Sequence, residues 1–316
     1  MMALRIITRT LIILLVLYLL LVLLYYAFFD DHRYVNSVDH ALAEEGSFTD
    51  LSTGKIFHRQ TGRGSKVVIL LHGYSGSSIS FKPIMEELGK QYQVIALDFP
   101  GSGLSSKQKE DDLSFAGKVK TVEEFMTTRA ISQAYLIGHS VGVAVAAQVA
   151  LNNPDKIEKL VLLAPAGYGN YDRSLTHVKY IPPPLDRLFM RVGVLNNNSA
   201  KILLGKGFFD DDLVTKSIIA NYLEPTKTKR ADWGLIKQLR LGLVPDLAND
   251  YAKIIQPTLI LWGEQDEMIP SMYLEEMVKS MDDVVGYLIH DAGHSLHEEN
   301  TESIAERIKS FLAKII

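Results

Sequence analysis

Apolar residues follow three rhythms along this chain. From Leu11 to Phe29 they are unbroken. From Ser47 on, short apolar runs alternate with stretches whose apolar positions recur every three or four residues. Between Tyr168 and Ala252 the runs stop, and the alternation resumes at Thr258. The run Val67 to Leu71 is apolar at every position, as a strand covered on both faces requires. Gln93 to Leu97, Ala134 to Ile137, Lys159 to Leu163, Thr258 to Trp262 and Val284 to Ile289 read as further strands. Ser47 to Leu51 and Lys55 to Gln60 predict a pair of strands joined by the Ser52-Thr53-Gly54 turn. Helical spacing links Phe81, Ile84, Met85 and Leu88, and then Phe115, Val119, Val122 and Met126. It returns in the small-residue stretch 143–151, around 273–281, and in Ile304, Ile308, Phe311, Leu312 and Ile315. Such alternation predicts an α/β domain with a mostly parallel sheet and helices on both faces.

The rhythm also divides the chain. Residues 1–29 form an N-terminal anchor and 30–47 a polar linker, with the α/β core at 48–167 and 253–316. Residues 168–252 contain Pro182-Pro183-Pro184 and no strand pattern, and they are too long for a plain loop. They are expected to form an inserted helical lid. The anchor's apolar run would make a helix of ~28 Å, close to the ~30 Å hydrocarbon thickness. Arg5 and Arg9 precede it; Asp30, Asp31, His32 and Arg33 follow; Tyr25 and Tyr26 suit an interfacial belt. A cleaved signal peptide is the competing reading. The run is longer than the apolar region of such peptides, and Ala27-Phe28-Phe29 lacks a small-x-small cleavage site. The arginines upstream place the N-terminus inside and the globular part on the far side.

Composition narrows the chemistry. A net charge of −4 gives no footing for nucleic acid. With 0 cysteines, disulfides, thiolate catalysis and cysteine metal sites are excluded. His294 and His297 lack a matching third ligand, so no metal and no cofactor is expected.

One pentapeptide carries chemistry. Gly138-His139-Ser140-Val141-Gly142 lies between a strand and a helix. A serine there occupies a tight, strained turn that side chains on the flanking glycines would block, and the turn pushes its hydroxyl into a cleft. A nucleophilic serine needs a base, an acid to orient the base, and N–H donors for the oxyanion. Ligand sites of open α/β sheets lie beyond the carboxyl ends of strands, so each partner is sought there. Asp266, after Thr258 to Trp262, is the candidate acid, with Glu264 and Glu267 as solvated neighbours. His294, on the loop after the last strand, is the candidate base. His290 competes from the strand end and His297 from the start of the last helix. The backbone N–H groups of Val141 and Tyr74 are the candidate oxyanion donors. His72 and Asp98 are read as organisers of their loops, and His139 as a packing neighbour of the serine.

With these residues in hand, the chain resembles the α/β-hydrolase superfamily. The likeness rests on HGYSG, DFPGSG, GHSVG, GEQDEMIP and DAGH in that order, and covers roughly residues 48–316. Within it the chain is similar to membrane-anchored monoacylglycerol lipases. The apolar N-terminal helix, Asp112-Leu113-Ser114 ahead of Lys118-Val119-Lys120, and Pro165-Ala166-Gly167 carry that finer likeness. It keeps the glutamate usual after the histidine, Glu299, and departs from the pattern at Thr301, where a proline is usual, and at Val143, where a glycine is frequent. The resemblance implies an eight-stranded type of sheet with a helical lid. The expected activity is a serine hydrolase cleaving lipophilic carboxylic esters through Ser140, His294 and Asp266. The lid aromatics Tyr168, Tyr171, Tyr180, Phe189, Phe208 and Phe209, with Leu188 and Met190, are expected to line an acyl pocket or to pack the lid onto the body. The partners expected are a small lipophilic ester and the bilayer, through residues 11–29. A C–C bond hydrolase or a peptidase would use the same triad, and a silent hydrolase fold would act as a tethered binding protein.

Overall fold

The alternating runs assemble into one eight-stranded sheet in the computed structural model, which describes residues 2–29, 34–168, 177 and 180–314. The strands are β1 (Ser47–Leu51), β2 (Gly54–Thr61), β3 (Val67–Leu71), β4 (Gln93–Leu97), β5 (Ala134–His139), β6 (Ile157–Leu163), β7 (Thr258–Gly263) and β8 (Val284–Ile289). Their order is β1-β2-β4-β3-β5-β6-β7-β8. β2 runs antiparallel to β1 and β4, and every other pairing is parallel. The helices are α1 (Met2–Phe29), α2 (Lys82–Leu88), α3 (Phe115–Thr128), α4 (Val141–Asn152), α5 (Leu185–Leu188), α6 (Asn197–Gly205), α7 (Lys216–Leu223), α8 (Ala231–Leu241), α9 (Ala248–Tyr251), α10 (Leu274–Ser280), α11 (Leu296–Glu299) and α12 (Thr301–Leu312).

The sheet's centre is buried on both faces. Val68 to Leu71 in β3, and Leu136 and Ile137 in β5, have no solvent exposure, which is why these strands read as unbroken apolar runs. α4 is built from Val, Ala and Gly, so it lies deep against β3, β5 and β6. α12 is amphipathic and buries only Ile304, Ala305, Ile308 and Leu312. Lys159 on β6 reaches its far end and donates to the carbonyls of Phe311, Leu312 and Lys314 at 3.2, 3.0 and 2.6 Å. α12 ends there; Ile315 lies outside the described residues.

Between β6 and β7 the described chain is helical, from α5 through α9. It has two small apolar cores of its own: Met190, Leu235, Ile236 and Leu239, and separately Ala200, Phe208, Val214 and Ile219. Residues 169–176, including Tyr171, lie outside the described residues.

The stretch expected as a linker departs from that expectation. Residues 30–33 lie outside the described residues, but from Tyr34 on the segment is tied down. Val35 bridges Thr228, and Lys229 N–H donates to the Val35 carbonyl at 2.9 Å. Glu45 pairs with the buried Arg59 at 2.6 Å and with Lys82 at 2.9 Å. Glu45, one of the charges that made this stretch look like solvated linker, helps to fix it.

Candidate active site

The serine turn forms because two glycines leave it room. Ser140 follows β5 with φ 53° and ψ −119°, outside the comfortable range for an L-residue. A Cβ on Gly142 would lie 2.0 Å from the Leu71 carbonyl oxygen, and one on Gly138 would lie 2.5 Å from that of Gly142. β3, β5 and α4 therefore meet at van der Waals distance around Ser140. Its own N–H donates to the Leu163 carbonyl at 2.9 Å, anchoring the turn to β6. α4 starts at the next residue, so the Val141 N–H belongs to the first helical turn, whose N–H groups have no acceptor within the helix.

The loop after β3 overhangs this turn. A Cβ on Gly73 would meet the Ser140 Cβ at 3.0 Å and its Oγ at 3.5 Å. Tyr74 is the next residue, and its side chain turns away, its hydroxyl donating to the Leu235 carbonyl in α8 at 3.2 Å. His72 holds the loop. Its Nδ1 donates to the Gly73 carbonyl at 2.7 Å, and its Nε2 accepts from Phe99 N–H at 3.0 Å. That pattern needs a neutral ring, and burial depresses its pKa. Asp98 fixes the adjoining loop by accepting from Ser78 and Leu104 N–H at 2.6 and 2.7 Å.

Asp266 and His294 come together from separate loops. The Asp266 Oδ1 accepts from Met268 and Ile269 N–H at 2.9 and 2.8 Å. Its Oδ2 accepts from Trp262 Nε1 at 3.2 Å and from His294 Nδ1 at 2.8 Å. The carboxylate can only accept, so Nδ1 carries the proton and Nε2 keeps its lone pair. Asp266 and His294 are 7% and 4% exposed, so the pair is shielded from water. The rival residues sit elsewhere. Glu264 and Glu267 are exposed. His290 also turns to solvent and pairs with Glu264 at 2.8 Å. His297 is buried in α11, packed against His139 with ring centres 4.5 Å apart and the rings tilted by 51°. Desolvation holds its pKa down at about 3, so it stays neutral. His139 donates from Nε2 to the His294 carbonyl at 2.9 Å and thus ties the serine turn to the histidine loop.

Of the eight side chains expected to line a pocket or pack the lid, Phe189, Met190, Phe208 and Phe209 do not share one place. Met190 and Phe208 belong to the two different apolar cores of the inserted region. Phe189 and Phe209 are each 46% exposed. Segment 207–209 does reach the site. Ser295 N–H donates to the Gly207 carbonyl at 2.7 Å. A Cβ on Gly293 would touch the Phe208 and Phe209 backbone at 2.9 Å.

Two carboxylates follow His294; the family pattern marks Glu299, and nothing in the sequence singles out Glu298. Glu299 accepts from Phe209 N–H at 2.7 Å and Gly293 N–H at 3.0 Å, clamping the inserted region to the histidine loop. Glu298 accepts from the Tyr222 hydroxyl of α7 at 2.6 Å. For Glu298 the only local signal is a pair of acids closing a short helix just after the base. Their partners lie 76 and 90 positions away in the chain.

Comparison with known proteins agrees with this geometry. Residues 68–307 match the model of the alpha/beta hydrolase family. An uncharacterised hydrolase of Bacillus subtilis is 27% identical over 253 residues, covering 79% of this chain and 90% of that protein. A monoacylglycerol lipase of Xenopus laevis is 24% identical over 296 residues, covering 87% and 84%. A 2-hydroxy-6-oxononadienedioate/2-hydroxy-6-oxononatrienedioate hydrolase of a Pseudomonas species is 27% identical over 305 residues, covering 87% and 99%. Among solved structures, a meta-cleavage product hydrolase of Pseudomonas fluorescens superposes with a TM-score of 0.73 at 21% identity, covering 85% of this chain and 98% of that one. A membrane phospholipase A superposes with 0.71 at 23% identity, covering 95% and 97%. A family match over most of the chain, on this sheet and around this serine turn, leaves one assignment: the chain belongs to the alpha/beta hydrolase family.

Proposed function

We propose that this protein is a serine hydrolase of lipophilic carboxylic esters, tethered to a membrane by α1. The buried His294–Asp266 pair at 2.8 Å carries the reading, because it leaves a lone pair on His294 Nε2 with no other evident task. In this mechanism His294 Nε2 takes the Ser140 proton as Oγ attacks the acyl carbon. The N–H groups of Val141 and Tyr74 bind the oxyanion, each such donor being worth ~3–4 kcal/mol. The collapsing intermediate expels the alcohol, which receives the proton from His294. Water then attacks the acyl-enzyme with His294 again as base, and Asp266 keeps the ring in one tautomer throughout. The lid role of residues 168–252 belongs to this reading; Phe209, whose backbone is clamped to the histidine loop, is its first candidate for acyl contact.

The lipophilic substrate is supported by the apolar window Arg5–Tyr26, which brings the site next to lipid, and by likeness to a monoacylglycerol lipase. The arginines ahead of the window favour a hydrolase domain on the far side of the membrane from the N-terminus; protease accessibility in intact cells tests that side. The second reading is C–C bond hydrolysis with the same triad, favoured by the 27% identity to a hydrolase of that kind of substrate. A series of acyl esters from short to long chain, run beside a vinylogous diketone acid, separates the two. Rising kcat/KM with chain length supports the lipid-ester reading. Turnover of the diketone acid alone overturns it.

A further inference from the structure

Helix α1 leans on the inserted cap region with one stripe. Of its described side chains only Tyr18, Val22 and Tyr25 lose solvent contact, at the spacing of a single helical face. The Tyr18 hydroxyl donates to the Pro183 carbonyl at 2.5 Å. The Arg187 guanidinium lies 5.3 Å from the centre of the Tyr25 ring, which is 2% exposed. From Leu11 to Tyr26 the other side chains form an open apolar surface.

The depth of this contact has a consequence. The apolar window Arg5–Tyr26 has 22 residues, ~33 Å of helix for ~30 Å of hydrocarbon. With Tyr26 at the interface, Tyr18 lies ~12 Å inside, and Pro183 lies beside it. Sliding the helix until Tyr18 reaches the interface leaves only residues 5–17, ~20 Å, which cannot cross. An α1 that spans the bilayer therefore draws the chain around Pro183 into the leaflet. The surface there fits. From Tyr180 to Leu195 every exposed residue is Tyr, Pro, Phe, Val or Gly. Phe189 and Val192, 46% and 58% exposed, both lie on one short π-helical segment. The nearby charges turn inward. Arg187 and Arg191 pair with the buried Asp232 at 2.9 and 3.0 Å, and Arg240 pairs with the buried Asp186 at 2.6 Å.

We propose that segment 180–192 is a second membrane element, inserted among the acyl chains of the leaflet that holds the C-terminal half of α1. The proposal rests on reading α1 as a membrane span. The cap then lies within the leaflet rather than above its head groups, and an acyl substrate reaches it without crossing water.

The chain has no cysteine, so single variants Leu15→Cys, Phe189→Cys, Val192→Cys and Lys279→Cys can each carry one environment-sensitive fluorophore. Leu15 reports the anchor; Lys279, on α10 of the sheet domain and 72% exposed at its side chain, reports the aqueous side. The full-length protein is placed in phosphatidylcholine–phosphatidylglycerol vesicles, and circular dichroism confirms that each variant is folded. Quenching by acyl-chain nitroxide lipids is compared with quenching by aqueous iodide. The expected result is about twofold loss of signal to the nitroxide lipids at 15, 189 and 192, with iodide acting only at 279. Lipid quenching at 15 with iodide quenching at 189 and 192 overturns the proposal and leaves the anchor standing. Protection of 189 and 192 from both quenchers points to a second protein copy on this surface and also overturns it. No lipid quenching at 15 removes the anchor and the proposal together.

Discussion

The Tyr222 hydroxyl donates a 2.6 Å hydrogen bond to Glu298, joining a helix of the inserted region to the helix that follows the candidate base. As a residue Glu298 keeps partial contact with solvent, but its carboxyl end is enclosed, and burial pushes its pKa up to about 8 from the usual 4.5. Between those values the folded protein holds a proton that the unfolded chain has lost. The contribution to stability is complete below pH 4.5, declines as pH rises, and is gone above about 8. Glu298→Gln keeps an acceptor for Tyr222 and removes the titration. The stability of the variant relative to the parent is expected to grow from pH 4.5 to 8. The slope is at most ~1.4 kcal/mol per pH unit, less in proportion to solvent contact. The buried His139 and His297 act in the opposite sense below about pH 6.5 and are common to both proteins, so they cancel. Denaturant titrations at four pH values measure the difference; a gap that stays flat contradicts the assignment.

The two glycines beside Ser140 separate folding from catalysis. A methyl at Gly142 would meet the Leu71 backbone at 2.0 Å, where nothing can yield. Gly142→Ala is expected to cost ~3 kcal/mol or more, read as lost soluble protein or a large fall in Tm. At Gly73 the methyl meets the Ser140 Cβ at 3.0 Å, tight but survivable. Gly73→Ala is expected to fold with a Tm within a few degrees of the parent. Its kcat/KM for a soluble ester should drop ~100-fold, the scale of an ångström-sized misplacement.

These contacts also mark what the sequence makes legible. β3 and β5 were readable because burial on both faces leaves no polar position in Val68 to Leu71 or in Leu136 and Ile137. The serine turn was readable because its geometry admits only glycine on either side. Asp266 and His294 were candidates because each stands just past a strand, where this topology gathers ligands, and the two meet at 2.8 Å. The family pattern marks Glu299, but its hold on Phe209, like the Glu298–Tyr222 pair, was not readable, since both depend on how 85-odd inserted residues fold back, and helix spacing carries no address for that. The same gap explains Met190 and Phe208. An aromatic or a methionine at helical spacing looks alike whether it faces a substrate or a neighbouring helix. His290, the rival at the strand end, turns away from the site for a simpler reason. At the end of edge strand β8, the outward side is water, and Glu264 was there to meet it.

Glu299 holds two backbone N–H groups, those of Phe209 and Gly293. Glu299→Ala leaves both without their acceptor, and each such loss costs ~1–3 kcal/mol where water cannot replace it. Hydrogen exchange at 207–209 and 293 is expected to accelerate at least tenfold while β5 and α4 remain protected. Unchanged exchange at those amides contradicts the clamp.

Asp266→Asn reverses the polarity that His294 Nδ1 meets, so the ring favours the wrong tautomer. A fall in kcat of ~10⁴ is expected for ester hydrolysis, with little change in KM. A variant retaining a tenth of the parent's kcat contradicts the role given to Asp266.

The central claim is that Ser140 is a covalent nucleophile. The direct measurement is intact-mass and peptide analysis after treating the detergent-solubilised full-length protein with a fluorophosphonate. The account predicts one adduct per chain, on the peptide containing Ser140, absent from a folded Ser140→Ala variant. A folded parent that takes up no adduct, or an adduct that survives in Ser140→Ala, would contradict it.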